Sequence, residues 1–347
     1  MLPGLTTMWM CVLAGVPGLE PSPRFPRGLT SMQLPAPPEP LGNWSNARCA
    51  QCHAPQHQAW QQGPHGQSVT SVVFQAAIQR EQRGWCMRCH APTAVGTSDA
   101  TQTAVGCAAC HATAQGVAAT KNSDEEHRSV ATPWLTDPLL CAQCHQFGFP
   151  VRNASNQVEH LSVTTQQQDT YREFLAWQAA TGATQTCAPC HMPKGDHAVG
   201  GVRRLDALRA AVTVMLAPDG RVMRLSTRAL GHRMPTGDIM RWLSLEVASD
   251  ETFEDAQTIA SFERKLDVRT FTPGAPAHLG VVDNTALPAS GMGTVDVVVP
   301  VALANQKAPR VWRLSYHLIS RKQELDGMLP VGLSRITIHA GNLGADP

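Results

Sequence analysis

The chain has 347 residues, of which 43% are hydrophobic and 16% are charged, and its formal net charge is +1. A charge so close to zero does not favour nucleic acid as a partner. Beyond the N-terminal segment, no stretch approaches the roughly 20 consecutive apolar residues of a membrane-spanning helix. The length predicts two domains in a protein that is soluble or peripheral to a membrane.

The N-terminal segment has some features of an export leader. Residues 2–16 form a short apolar run, but no Lys or Arg precedes Arg24, so the usual positive start of a signal peptide is missing. The leader is therefore atypical, or the start of the chain is misassigned. Cys11 is expected to be removed with the leader rather than to carry a lipid. Residues 17–40 are rich in Pro and Gly, so we expect a signal peptide and a Pro-rich linker over residues 1–42.

Cysteine occurs in this chain almost entirely within one repeated pattern, Cys-x-x-Cys-His. The five copies run from Cys49 to His53, Cys86 to His90, Cys107 to His111, Cys141 to His145 and Cys187 to His191. The pattern is the attachment signature of c-type haem: two thiols form thioethers with the vinyl groups, and the histidine binds the iron. Five covalent haem c groups are therefore predicted.

Each predicted haem uses two cysteines and one proximal histidine. The thioether cysteines are Cys49, Cys52, Cys86, Cys89, Cys107, Cys110, Cys141, Cys144, Cys187 and Cys190. The proximal iron ligands are His53, His90, His111, His145 and His191.

Other uses of cysteine explain the pattern less well. A zinc ribbon needs paired Cys-x-x-Cys units, so five units would leave one without a partner. A disulfide framework has no use for a histidine after every second cysteine, and iron–sulfur proteins show denser cysteine runs. Since haem is attached on the outer side of the cytoplasmic membrane, a periplasmic or extracellular location is expected.

The five motifs lie between Asn43 and Gly201, and this segment is called the motif region below. It shows little regular apolar patterning, so the porphyrins are expected to form most of its core, wrapped by short helices and loops. A helix is predicted over residues 170–180, where Phe174 and Trp177 lie near one another. The region is predicted to be a pentahaem cytochrome domain over residues 43–201.

The pattern changes to a period of two in residues 202–347, called the β region below. After a short helix over residues 205–211, alternating segments begin near Met223, Leu243, Trp312 and Ile336, separated by Gly- and Pro-rich turns. These short strands predict an antiparallel β-sandwich. The fold class is therefore α+β, with a mostly helical or irregular haem domain followed by a β-sandwich domain.

The sixth ligand of each iron decides what a haem can do. Two imidazoles make a low-spin electron carrier, whereas an open position makes a site for chemistry. Among the remaining histidines, His317 and His339 fall on the polar faces of strands and are expected at the surface. His57 lies one helical turn after His53, and nothing in the Gly- and Pro-rich loop around His278 points to a ligand.

Several of these segments resemble a known family. Cys49–His53 followed by Trp60 and His65, the closely spaced second and third motifs, and Cys187–Pro193 followed by His197 resemble the tetrahaem cytochromes c of ammonia oxidisers, the cytochrome c-554-like family. The segment Gly231–Asp238, with Arg241 after it, is similar to a motif in the β domain of larger relatives, where its histidine caps a haem.

The resemblance implies a set of distal ligands. His65, His197 and His232 match positions of the family motifs, and His127 lies in a suitable gap between the third and fourth motifs. His160 is added because five haems need five ligands. The distal candidates are therefore His65, His127, His160, His197 and His232.

The favoured function is electron transfer through five haems, most of them with two histidine ligands, and we therefore expect no catalytic residue. Redox partner proteins are required, and a membrane-associated complex or a homo-oligomer remains open. Two alternatives stay open: an enzyme acting on a small nitrogen or sulfur compound at a five-coordinate haem, and a subunit of a cytochrome polymer. The electron carrier and the enzyme differ in whether one haem has a second axial ligand, and His160 is the weakest candidate for that ligand.

Overall fold

The structure is a computed structural model, and part of the chain is described in it. The described residues are 32, 34–39, 41–80, 86–93, 104–123, 127–153, 155, 158–202, 204–267, 280–301 and 310–343. Cys11, Arg24 and His278 lie outside these residues. Within the described part of the chain, no helix is long and apolar enough to cross a membrane.

Short helices carry the five cysteine motifs. The helices of the motif region are α1 (Asn46–Ala50), α2 (Ala54–Gln62), α3 (Val72–Arg80), α4 (Met87–His90), α5 (Cys107–His111), α6 (Pro138–His145), α7 (Thr170–Thr181) and α8 (Cys187–His191). Motifs one to five overlap α1, α4, α5, α6 and α8, and one turn of helix brings two cysteines three positions apart onto the same side. The helix predicted over residues 170–180 is confirmed as α7.

The motif region contains more strand than was predicted. A small sheet is formed by β1 (Ala112–Thr113), β2 (Gly116–Ala119) and β3 (Ser129–Ala131), and a hairpin by β4 (Gln146–Arg152) and β5 (Val158–Asp169). Helices and irregular segments still make up most of the described part of this region, as expected, but the sheet and the hairpin were not predicted. Strand β5 is rich in Thr and Val, which favour extended backbone, although it lacks the apolar alternation that would have revealed it.

The β region begins with a helix and continues as two antiparallel sheets. Helix α9 (Leu205–Ala211) confirms the predicted helix. Strands β6 (Val212–Leu216), β7 (Val222–Thr227) and β11 (Thr294–Val298) form one sheet in the order β11-β7-β6. Strands β8 (Trp242–Ala248), β9 (Gln257–Asp267), β10 (Gly280–Asn284), β12 (Val311–His317) and β13 (Arg335–Asn342) form the other, in the order β10-β9-β8-β12-β13. Short helices α10 (Arg321–Leu325) and α11 (Val331–Ser334) join β12 to β13.

The two sheets of the β region share one hydrophobic core. Met223 and Leu225 of the smaller sheet lie in the same cluster of buried side chains as Leu245 and Leu314 of the larger sheet. Leu245 and Leu314 face each other across neighbouring strands, and both are fully buried. Packing two antiparallel sheets over a common core is the arrangement of a sandwich.

The motif region has a much smaller core of its own. Its cluster of buried apolar side chains consists of Val69, Ala91 and Ala104, with a few partly buried neighbours. Alanine and valine bury little apolar area, so this cluster contributes little to stability. That haem supplies most of the core of this region stays a prediction.

His317 is buried, so its predicted position at the surface was wrong. Its ring stacks on Trp242 with centroids 3.6 Å apart, and its nitrogens lie 2.9 Å from Ser244 Oγ and 2.7 Å from Glu324 Oε1. Every residue of β8 is buried, because the polar face of the sheet is also covered. The alternation in the sequence therefore separates an apolar buried face from a polar buried face, rather than a buried face from an exposed one. His339 is half-buried, and its Nε2 lies 2.8 Å from the Val212 carbonyl oxygen.

Replacing Leu245 by alanine tests whether the shared core carries the stability of the β region. Loss of a fully buried leucine removes apolar contacts and leaves a cavity, so the free energy of unfolding should fall by about 2–5 kcal/mol. Denaturant unfolding followed by far-UV circular dichroism measures the change. Leu325→Ala, at a side chain that is 88% exposed, is the control and should leave the midpoint nearly unchanged. Equal midpoints for both variants would contradict the assignment of the core.

Candidate haem centres

Several motif histidines are fixed by hydrogen bonds on one side of the ring. His90 Nδ1 donates to the Ser68 carbonyl oxygen at 2.8 Å, and His111 Nδ1 donates to that of Ala118 at 2.7 Å. His191 Nδ1 donates to the Gly200 carbonyl oxygen at 2.6 Å. A carbonyl partner at Nδ1 places the ring proton there and leaves the Nε2 lone pair for a metal. These rings therefore carry the tautomer that a proximal haem ligand needs.

Four of the five motif histidines lie opposite a second imidazole. The ring centroids are 6.1 Å apart for His53 and His127, 6.4 Å for His65 and His145, 6.2 Å for His111 and His197, and 6.2 Å for His191 and His232. An imidazole nitrogen binds a transition metal at about 2 Å, so two in-line bonds to one ion separate the ring centroids by roughly 6 Å. Each pair fits one iron held from both sides.

The partners come from distant parts of the sequence. His65 follows the first motif but faces the histidine of the fourth, and His127 follows the third motif but faces that of the first. His197 follows the fifth motif and faces the third, while His232 comes from the β region and faces the fifth. The pairs therefore cross-connect the motif region, and one of them joins it to the β region.

The distal rings show the same tautomer as the proximal ones. His197 Nδ1 donates to the Gly195 carbonyl oxygen at 2.7 Å, and His232 Nδ1 donates to that of Arg233 at 2.9 Å. Burial lowers the pKa of His65, His145 and His232 to about 4 in each case. At neutral pH these imidazoles are uncharged, which is the form that binds a metal.

His90 has a different environment. Among the ring contacts of the described residues, its neighbour is Phe74, which stacks on it with centroids 4.2 Å apart. Burial lowers the pKa of His90, and the charge of Arg241 lowers it further, whereas the Ser68 carbonyl and Asp238 act in the opposite direction. The second motif therefore differs from the other four.

His160 does not lie with these pairs. It is exposed on β5 and is aligned with Val151 of β4 in the hairpin. The prediction of His160 as a distal ligand rested on counting one histidine per haem, and no described ring contact joins His160 to a motif histidine, so its role stays a prediction. His57, which was not favoured as a ligand, packs against Trp60 with centroids 5.3 Å apart.

Contacts between cysteines show how the motifs are arranged. The thiols of Cys49 and Cys107 share a hydrogen bond, which lowers the pKa of Cys49 and raises that of Cys107. The Cys107 amide also donates to Asn46 Oδ1 at 2.9 Å. The first and third motifs are therefore in contact.

The fourth motif touches two others. Cys144 shares a hydrogen bond with Cys89 of the second motif, and Cys141 shares one with Cys187 of the fifth. Cys110 of the third motif lies near enough for its charge to raise the pKa of Cys141 and Cys144 further. All five motifs thus form one connected array, with the fourth next to the second, third and fifth.

Three side chains near the candidate ligands were missed by sequence reasoning. Phe74 and Arg241 lie near His90, and Glu173 of α7 accepts hydrogen bonds from the segment that carries His232. Glu173 lies in the predicted helix, but no pattern distinguished it from a surface glutamate. Arg241 was noted as part of the Gly231–Asp238 motif, without a role.

Part of the chain matches a known protein family, and its fold matches a solved structure. Residues 48–131, which include the first three motifs, match the family model described as cytochrome c554 and c-prime. The chain is also similar to the crystal structure of a penta-heme cytochrome c552 from Thermochromatium tepidum, with a TM-score of 0.63 and 19% sequence identity. The match covers 88% of this chain and 99% of that protein, and at this identity it establishes the fold. No curated protein shows significant sequence similarity.

Glu173 predicts a pH-dependent stability that can be measured. Burial raises the pKa of Glu173 above its ordinary value of 4.5, although the Thr236 hydroxyl and Arg264 oppose the shift. A raised folded-state pKa favours folding below the unfolded-state pKa, and this contribution is lost as the pH rises through the folded value. Glu173→Gln should therefore raise Tm relative to the wild type at pH 7, and the gain should shrink towards pH 4.

Calorimetry at the two pH values measures this difference. Glu254→Gln replaces an exposed glutamate and should change Tm little at either pH. An equal gain for Glu173→Gln at both values would show that the ionisation of Glu173 does not contribute.

Proposed function

We propose that the chain is a multihaem c-type cytochrome and that it serves as a periplasmic or extracellular electron carrier with five covalent haems. The observation that carries the proposal is the set of four imidazole pairs with centroids 6.1–6.4 Å apart. Two axial histidines favour low-spin iron, which exchanges electrons without binding a substrate. Covalent attachment, which takes place outside the cytoplasm, supports the proposed location.

The residues of each Cys-x-x-Cys-His motif would hold a haem in the same way. The ten motif cysteines would provide the thioether bonds, and His53, His90, His111, His145 and His191 the proximal ligands. His127, His65, His197 and His232 would be the distal ligands of the first, fourth, third and fifth motifs. When bound, the iron supplies a reversible one-electron change, and the carbonyl partners at Nδ1 keep the rings oriented.

The contacts between motifs support an order for electron flow. The first motif touches the third, the third lies beside the fourth, and the fourth touches the fifth. The second motif touches the fourth through Cys89 and Cys144. We propose that electrons enter and leave through redox partner proteins at the two ends of this array, near the first and fifth motifs.

We propose further that the chain has two domains, a haem domain over residues 43–201 and a β-sandwich domain over residues 202–347. The separate apolar clusters of the motif region and the β region support this division. His232 would then join the domains, since it lies in the β region and faces a histidine of the motif region.

Single distal variants test the ligand assignments. His197→Ala should convert one haem of the five from low spin to high spin, because the third iron loses one of its two imidazoles. Electron paramagnetic resonance of the oxidised holoprotein measures the change, with haem content checked by the pyridine haemochrome assay. His57→Ala and His160→Ala are controls that should keep the wild-type spectrum. A high-spin signal in the His160 variant would restore it as a ligand, and an unchanged spectrum in the His197 variant would contradict the assignment.

A second candidate function is supported by the surroundings of His90. Phe74, rather than an imidazole, is its ring neighbour among the described residues, and Asp238 and Arg241 lie nearby. A haem at the second motif with an open position would bind a small nitrogen or sulfur compound, and the chain would then be an enzyme. The other motifs would deliver or remove electrons through the fourth.

Carbon monoxide distinguishes the two functions. If the second motif holds an open haem, the reduced protein should bind about one carbon monoxide per five haems, because iron with two imidazoles resists exchange. Optical titration of the dithionite-reduced protein measures the stoichiometry. No binding would favour the pure electron carrier. An absorption spectrum of the carbon monoxide complex that is unchanged in His90→Ala would exclude the second motif as the site, because that spectrum depends on the proximal ligand.

A further inference from the structure

The segment that carries His232 is held against helix α7 by hydrogen bonds. Glu173 Oε2 accepts one from the Thr236 hydroxyl at 2.7 Å and one from the Arg233 amide at 3.3 Å. The Thr236 and Thr170 hydroxyl oxygens lie 2.9 Å apart, which adds a contact at the start of the helix. These bonds hold the backbone on the C-terminal side of His232.

Apolar contacts hold the other side of the same segment. Gly231 lies against the Trp177 ring so closely that a Cβ atom there would come within 3.0 Å of it. Trp177 Nε1 in turn donates to the Ser290 carbonyl oxygen at 3.0 Å, and Ser290 Oγ accepts from the Leu230 amide at 2.8 Å. His232 therefore lies between two points of attachment to α7.

Glu173 is an unusual residue for this position. Its Oε1 is buried and has no hydrogen-bond partner among the described residues, and burial raises the pKa of its carboxyl group. Leaving a buried polar atom without a partner is destabilising. A residue with only a packing role would avoid this cost with an apolar side chain, whereas only a hydrogen-bond acceptor can hold both the Arg233 amide and the Thr236 hydroxyl.

We propose that Glu173 is the positioning residue for His232, holding the segment 231–236 so that this imidazole stays opposite His191. This inference rests on the proposed function, in which His232 is the distal ligand of the fifth motif. Glu173 lies in the motif region and His232 lies in the β region. The hydrogen bonds of Glu173 would therefore also hold the two regions together at the fifth motif. Contacts on both sides of His232 would thus keep its ring centroid 6.2 Å from that of His191.

The test uses the full-length holoprotein and the spin state of its haems. Glu173→Ala should open the fifth motif and give one more high-spin haem than the wild type. This haem should bind cyanide with an apparent affinity about tenfold higher than in the wild type, because two hydrogen bonds are lost. Added imidazole should restore the low-spin spectrum. Glu173→Gln keeps an acceptor oxygen and should behave like the wild type, and Glu254→Ala, at an exposed glutamate, is the matched control.

His232→Ala separates the two claims. If it gives one high-spin haem while Glu173→Ala retains the wild-type spectrum and cyanide affinity, Glu173 has no positioning role although His232 is a ligand. If His232→Ala also leaves the spectrum unchanged, the proposed ligand itself is wrong. Thr236→Val removes one of the two donors with little change in volume, so it decides the question if Glu173→Ala yields no folded holoprotein. A wild-type cyanide affinity in Thr236→Val would then overturn the proposal.

Discussion

The proposed haem sites depend on one distance, the separation of two imidazoles that would share a metal ion. Two nitrogen–metal bonds in line fix the separation of the ring centroids at roughly 6 Å. The range of separations that such bonds allow is narrow compared with that of ordinary side-chain packing. Four pairs of histidines in this chain meet that distance. Because their members are far apart in sequence, each pair ties remote segments together. Metal bound at these pairs would therefore join segments of a region whose described apolar cluster has three buried members.

The chemistry of this protein could be predicted from sequence more completely than its fold. The spacing of Cys-x-x-Cys-His reflects covalent bonds, so it is visible without an alignment. The resemblance pointed to His65, His127, His197 and His232, each of which lies opposite a motif histidine. His160 was added by counting, and counting assumes that every iron has the same ligands. Among the described residues, the ring that lies against His90 is that of Phe74.

Patterns based on polarity were less reliable, for a physical reason. Alternation correctly indicated the strands at residues 222–227, 242–248 and 311–317, but it placed His317 at the surface, where a strand with one covered face would have it. The central strands are covered on both faces, and the polar side is filled by paired groups such as Glu246 and Arg313, 2.6 Å apart. The hairpin of β4 and β5 escaped prediction because backbone pairing, not a buried face, holds it. Glu173 could not be recognised because its role depends on a segment about sixty residues away.

The fourth motif occupies a special place in the array. It contacts the second and fifth motifs through its two cysteines and lies beside the third, while His65 reaches it from the segment after the first. Loss of the fourth motif would separate the array into parts that are not in contact with each other. Loss of the first, second or fifth motif would only shorten the array. Among the motif contacts described above, residues 141–145 are therefore the segment that touches the largest number of other motifs.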